Sequence, residues 1–244
     1  MIETKALIKA SLEAGKGLLR PPAEDDLSSA KSKVPPVLVP IRSLGSNHRE
    51  RIALHLLALD VHDRYLRFGF AATDEQIQRY VDGLNFERDE IFGIYNRRLE
   101  LIAMAHLAFE PDSTVVDACA EFGVSVSKSA RGRGYGARLF DRAAMHARNE
   151  GVHRMLIHAL SENTAMLKIA RNAGAKVERD GSESEALLHL SPATLDTRLS
   201  ELVAEHMAQT DYQIKVQVKQ FWDVMAEVQA IRRDAQDAQQ ISPK

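Results

Sequence analysis

The sequence has a single cysteine, Cys119, which excludes an internal disulfide and leads us to expect a reducing compartment. It has no surplus of one charge: 32 Lys and Arg face 34 Asp and Glu, for a formal net charge of −2. A dedicated nucleic-acid binder carries a strong basic excess, so no nucleic-acid partner is expected. No apolar run approaches the ~18 residues of a membrane span. Met1 to Arg20 is interrupted by Lys5, Lys9, Glu13 and Lys16, so it lacks the unbroken apolar stretch of a secretion signal. There are nine histidines, but no pair stands at ligand-like spacing with Cys or carboxylates, and no metal is expected. What the chain does have is 244 residues, 45% apolar and 27% charged, the mix of a soluble globular protein. The expectation is a cytoplasmic protein with no membrane partner.

Residues 1–20 read as a weak helix ended by Pro21-Pro22, and the stretch to Pro36 as a linker. Val37 to Pro40 resembles a short first strand. Asn47, with Glu50 three residues on, predicts a capped helix through Leu59. Thr73 with Gln76 predicts a capping box for a second helix. Between them Asp63 to Phe70 is a mixed aromatic and basic connection. Three strands follow, Ile91–Tyr95, Leu101–Phe109 and Thr114–Ser127, with short turns that make them antiparallel neighbours. The third alternates: Ala120, Phe122, Val124 and Val126 share an apolar face, while Asp117, Cys119, Glu121 and Ser125 share a polar face open to chemistry. A helix from Gly136 to Asn149, a strand from His153 to Leu160, a helix from Asn163 to Asn172 and two last strands, Lys176–Arg179 and Ala186–Leu190, complete this region. The tail from Pro192 reads as helical. Its apolar stripes, Leu195, Leu199, Leu202, His206 and then Ile214, Val218, Phe221, Met225, Val228, predict a helical hairpin docked on the core, or a homodimer through the C-terminal helices.

The sharpest local feature is Arg131-Gly132-Arg133-Gly134-Tyr135-Gly136, between a strand and a helix. Glycines let the backbone turn sharply and approach a ligand, and amides at a helix start favour an anion. From Lys128 to Arg154 there are seven Lys or Arg and two Asp or Glu. This is a phosphate-binding turn in outline. No P-loop occurs. Gly132-x-Gly134-x-x-Ala137 also fits a loose dinucleotide fingerprint, but that fold needs repeated parallel strand–helix units, and here three antiparallel strands come first.

Arg131-x-x-Gly134-x-Gly136, the strand Ala120 to Val126 ahead of it, and Asn163 with Gly174 eleven residues on resemble the GNAT superfamily of acyl-CoA-dependent N-acetyltransferases. The element order from 37 to 190 resembles it too. The resemblance implies an α/β (α+β) fold, a mixed, mostly antiparallel central sheet flanked by helices. Residues 1–36 and 191–244 would then be helical N- and C-terminal extensions of a core over 37–190.

The resemblance also implies acetyl-CoA as co-substrate. Its pyrophosphate would lie on Arg131, Gly132, Arg133, Gly134, Tyr135 and Gly136. Its pantetheine arm would lie along the backbone of Val124, Ser125 and Val126, facing Asn163. Acetyl transfer needs a neutral amine, and Glu121 is the candidate base, near where related enzymes carry a catalytic glutamate. Many relatives carry a tyrosine seven residues after the motif asparagine as proton donor to the thiolate; here that position is Ala170. The acceptor is expected to be a small-molecule or peptide amine, met by Tyr65, Arg67 and Phe70, with Phe68 beside them and Asp117 on the strand. The alternative reading is a non-catalytic acyl-CoA-binding sensor or scaffold module.

Overall fold

The computed structural model describes residues 39–110 and 118–241, with residues 228–241 as helix backbone alone. The N-terminal helix and linker expected over 1–36, Asp117 and the strand residues before it lie outside the described residues.

Among the described residues seven strands form one sheet. They are β1 (Arg42–Ser43), β2 (Glu90–Tyr95), β3 (Leu101–Phe109), β4 (Cys119–Val126), β5 (Arg154–Leu160), β6 (Lys176–Asp180) and β7 (Glu183–His189). Their spatial order is β1-β2-β3-β4-β5-β7-β6. All neighbours are antiparallel except β4 and β5, which are parallel. The first described strand forms after Pro40: of the strand expected over Val37 to Pro40, Val37 and Leu38 lie outside the described residues, and residues 39–41 are outside any strand, Pro40 having no N–H to give a ladder.

Three short helices lie between β1 and β2: α1 (Arg49–Leu57), α2 (Val61–Phe68) and α3 (Asp74–Asp82). The capping box of Thr73 and Gln76 opens α3 as expected. Asn47 does not cap α1. It lies in a 3-10 turn, Ser46–His48, which leaves His48 at the cap position with no side-chain cap bond. Helix α2 replaces the connection expected over 63–70. The Asp60 carboxylate accepts from the Asp63 amide at 2.9 Å, and Gly69, at φ 80°, ends the helix in the left-handed region.

The sheet is covered on both faces, which is why β3 reads as nearly continuous apolar sequence. On one face α4 (Tyr135–Asn149) and α5 (Thr164–Asn172) bury Phe122, Phe140, Leu139, Met155, Ile157, Leu167 and Ala170 with Ala103, Ala105 and Leu107 of β3. On the other, α1 and α3 bury Ile52, Leu56, Ile77 and Val81 with Met104 and Leu101.

The tail is one continuous helix, α6 (Leu195–Ile241), 47 residues long, and not a hairpin. Its docking face is polar. Glu201 pairs with Arg142 at 2.8 Å and with His146 at 2.6 Å, and Glu205 pairs with Arg142 at 3.1 Å. Arg51 donates to the Tyr212 hydroxyl at 2.7 Å, and Lys215 donates to the Tyr95 carbonyl at 3.0 Å. The apolar stripes point elsewhere: Leu195 is 88% exposed, Leu202 69% and Phe221 59%. Burial alone would push His146 down, but the hydrogen bond and charge of Glu201 leave it above its ordinary value. Burial works against Glu201 too, yet the hydrogen bonds from His146 and Asn149 and the nearby Arg142 bring its carboxyl down to about 2. Among the described residues no helix is long and apolar enough to cross a membrane.

Candidate active site

Strands β4 and β5 pair over three positions only: Cys119 with Arg154, Ala120 with Met155 and Glu121 with Leu156. Beyond Glu121 they part. Strand β4 continues to Val126 against β3, and β5 continues to Leu160 against β7. Parallel strands that separate leave main-chain donors and acceptors facing the gap, available to an extended ligand. Two cavities fill it. One of about 570 Å³ is lined by Val124, Ser125, Val126, the glycine turn and α5. The other, about 580 Å³, is lined by Glu121, Phe122, Gly123 and the facing parts of β5, β6 and β7. Both are lined by Leu66, Arg67, Val124, Asn163 and Met166, so they are two ends of one groove.

The turn from Arg131 to Gly136 forms one end. Gly132 and Gly134 stand at φ 75° and 76°, the left-handed region that side chains rarely adopt. Gly136 is small for a different reason: a Cβ there would stand 3.2 Å from Ile169 Cδ1. Helix α4 opens with no side-chain cap and no acid in its first turn. Its first amides are therefore open to an anion. The Arg131 guanidinium turns back to the Asp63 carboxylate and to the Val126 carbonyl. Lys128 lies 3.8 Å from Asp60. These contacts tie the turn to α2. The basic surplus of the segment is not all here, because Arg142 is buried against α6.

Glu121, exposed, stands at the vertex of the split and lines the second cavity. Arg67 and Phe68 line that cavity as well. Tyr65 and Phe70 line neither cavity, and Phe70 packs on Phe68 with ring centroids 6.3 Å apart. Asn163 lines both, while its side-chain oxygen caps α5 by accepting from the Met166 amide at 3.1 Å. Ala170 is fully buried in the core and lines neither cavity. Ser125 donates to His55 Nε2 at 2.9 Å, because His55 Nδ1 gives its proton to the Leu101 carbonyl at 2.9 Å. Burial brings His55 down to about 4, so the ring is neutral.

Sequence reasoning missed a buried chain behind Arg67. Arg67 Nη2 donates to the Tyr80 hydroxyl at 2.9 Å, Tyr80 donates to His106 Nδ1 at 2.8 Å, and His106 Nε2 donates to Asp89 at 3.1 Å. The polarity is fixed at both ends, by a guanidinium that can only donate and a carboxylate that accepts. Burial pushes Tyr80 up and His106 down, which keeps both neutral. Burial opposes ionisation of Asp89 as well, but Arg88 and His106 hold its carboxyl below the usual range. The Arg67 guanidinium also lies on the bare backbone of Gly123, where a Cβ would stand 2.7 Å from its carbon. A lone glycine inside an alternating strand was the available signal for such a close approach.

A family model described as acetyltransferase (GNAT) family matches residues 54–175, half of the chain. The chain belongs to the GNAT acetyltransferase family. Its general chemistry is acyl-CoA-dependent acyl transfer, and acetyl-CoA or CoA is its co-substrate. The GNAT domain of PAT from S. lividans is 20% identical with a TM-score of 0.53, over 62% of this chain and 89% of that one. An N-acetyltransferase from Staphylococcus aureus Mu50 is 15% identical with a TM-score of 0.50, over 62% of this chain and 98% of that one. At these identities the likeness is one of fold. No curated protein matches the chain.

Proposed function

We propose that this GNAT protein is an N-acetyltransferase that moves acetyl from acetyl-CoA to a primary amine by direct attack on the thioester. The observation that carries the reading is the single groove through the β4–β5 split, with an anion-receptive turn at one end and carboxylates at the other. The pyrophosphate lies on Arg131 to Gly136, and the pantetheine arm runs along Val124 to Val126 toward Asn163. Glu121, Glu178, Asp180, Glu183 and Glu185 line the far cavity and suit an acceptor that arrives as a cation. Most of such an amine is protonated at neutral pH, and Glu121 accepts its proton directly or through water. Arg67 and Phe68 face this acceptor. Residues 37–190 make the transferase core, and the exposed apolar stripe of α6, with Leu199, Ile214 and Phe221, pairs two copies.

Acetyl-CoA should raise the melting temperature, and Gly134→Glu should abolish the shift, because a side chain is strained at a φ of 76° and a carboxylate repels phosphate there. No shift in the wild type at millimolar acetyl-CoA sinks the reading. Free-thiol release over an amine and peptide panel then tests turnover. Glu121→Gln should cut it and change its pH profile with cofactor affinity intact.

One observation favours a second reading. Ala170 faces the core, so this position sends no hydroxyl to the groove. A non-catalytic acyl-CoA sensor would bind acetyl-CoA and release no thiol with any acceptor.

A further inference from the structure

Arg67 stands where the two cavities meet, and among the described residues its guanidinium makes no ion pair. Its contacts are the Tyr80 hydroxyl, the faces of Phe68 and Tyr80 at 5.2 and 5.5 Å, and the backbone of Gly123. Among the described residues no carboxylate lies within ion-pair distance of it. A half-buried guanidinium without a counterion is costly unless an anion arrives to meet it. Its position is also over-determined: the Asp89–His106–Tyr80 chain fixes one edge, and Gly123 gives it a flat seat. A cation preorganised in this way at a reacting centre acts on charge that develops there.

We propose that Arg67 is a catalytic residue that stabilises the departing CoA thiolate, replacing the proton donor absent at Ala170. The inference rests on the acetyl-CoA reading above, in which the arm runs from the glycine turn toward Glu121 and brings the thioester to the cavity junction. The amine nitrogen bonds to the carbonyl carbon. The carbon–sulfur bond then breaks with its electron pair left on sulfur, and the proton still on the attacking nitrogen passes to water, Glu121 having taken the ammonium proton before attack. The sulfur stays anionic against Arg67 and takes a proton from solvent as CoA leaves. Tyr80, His106 and Asp89 are positioning residues for this cation. A cation here is also consistent with an amine that must be neutral to attack, since Arg67 disfavours its ammonium form.

The test is the thiol titration of bound CoA, followed by thiolate ultraviolet absorbance as a difference against CoA-free protein, which removes the signal of Cys119. It needs no acceptor. The reference value is that of free CoA titrated in the same buffer, whose alkyl thiol is a weaker acid than a cysteine. On the wild-type protein the CoA thiol should titrate about one unit lower or more, the effect of a close opposite charge. Arg67→Gln should return it to the free value or above and cut kcat at least about tenfold with acetyl-CoA affinity nearly unchanged. Arg67→Lys should keep part of the shift, and Tyr80→Phe should lose part of it while the charge stays, which separates positioning from folding. If Arg67→Gln fails to fold, Tyr80→Phe and Gly123→Ala, which displaces the guanidinium, carry the test. Equal thiol titration in wild type and variants that bind CoA overturns the inference and leaves the transferase reading intact. A variant that changes only the KM of carboxylate-bearing amines assigns Arg67 to acceptor recognition and also overturns it. Failure of the wild type to bind CoA overturns both.

Discussion

Arg67 and Gly123 are fitted to each other: the guanidinium of one occupies the space a side chain of the other would need, with 2.7 Å between a built Cβ and the guanidinium carbon. This contact joins α2 to β4 at the point where β4 leaves β5. It therefore links the packing of an early helix to the geometry of the groove.

Gly123→Ala tests that link. The methyl group cannot be accommodated unless Arg67 moves, and movement breaks its hydrogen bond to Tyr80. The displaced atoms are the far end of a flexible side chain, so the main cost is the lost hydrogen bond to Tyr80, about 1 kcal/mol, and it should appear as a slightly lower midpoint in chemical denaturation. Turnover should fall more than acetyl-CoA affinity, because the glycine turn lies at the other end of the groove. A variant with wild-type stability and turnover shows that the guanidinium is free to shift.

The Asp63–Arg131 pair yields a second prediction. Arg131 is committed to Asp63, so its contribution to cofactor binding is to anchor the turn on α2. Arg131→Ala and Asp63→Ala should each weaken acetyl-CoA binding several-fold, and the double variant should bind no worse than either single one, a non-additivity expected of partners in one pair. Titration calorimetry measures all three. If Arg131 instead contacts phosphate directly, Asp63→Ala tightens binding and the cycle changes sign.

Much of this arrangement was legible in the sequence because it is written in local patterns. The capping box at Thr73, the strand alternation around Phe122 and the spacing of Arg131, Gly134 and Gly136 each depend on residues within one turn or strand. The Arg67–Tyr80–His106–Asp89 chain was not legible. Its partners are brought together by the sheet, with Tyr80 and His106 26 positions apart, and each alone reads as ordinary packing. The docking of α6 misled for a physical reason. Apolar periodicity marks the face that most needs burial, yet this helix is held by Glu201, Glu205 and Tyr212, whose partners on α1 and α4 cannot be guessed from spacing. Helix α2 was missed because its eight residues are too few to show a period, though Asp60 and Gly69 mark its two ends.

Acid should destabilise the fold through its buried neutral histidines. His55 titrates near 4 in the folded protein because burial disfavours its charged form, and burial lowers His48 and His106 as well. In each case the unfolded chain binds the proton more readily, so stability rises with pH across the window from about 4 to 6.5 for His55. The His55 contribution alone is on the order of 3 kcal/mol across that window. Melting temperature should therefore drop between pH 7 and pH 5, and His55→Gln should flatten that slope while lowering stability at neutral pH. A slope unchanged in His55→Gln assigns the acid sensitivity to other groups.

The α6 dock should respond to pH in the opposite direction. His146 is raised by Glu201, so its contribution is fully present below the unfolded value of 6.5 and is lost as pH rises through the folded one. Glu201 contributes above its unfolded value of 4.5 and loses that contribution only as pH falls toward about 2, so it remains charged throughout the neutral range. Glu201→Gln removes the negative charge shared by Arg142 and His146 while keeping one acceptor oxygen, and leaves Arg142, whose side chain is 5% exposed, with Glu205 as its remaining anionic partner. Loss of one partner from such a buried pair costs about 3–5 kcal/mol, less here because Glu205 remains. Amide exchange should accelerate in α6 from Leu195 to Lys215 before it does so in the sheet, and the loss of stability as pH rises through the His146 transition should disappear in the variant. If exchange in α6 keeps its wild-type protection, the helix is held by Tyr212 and Lys215, and the Glu201 cluster only tunes its charge.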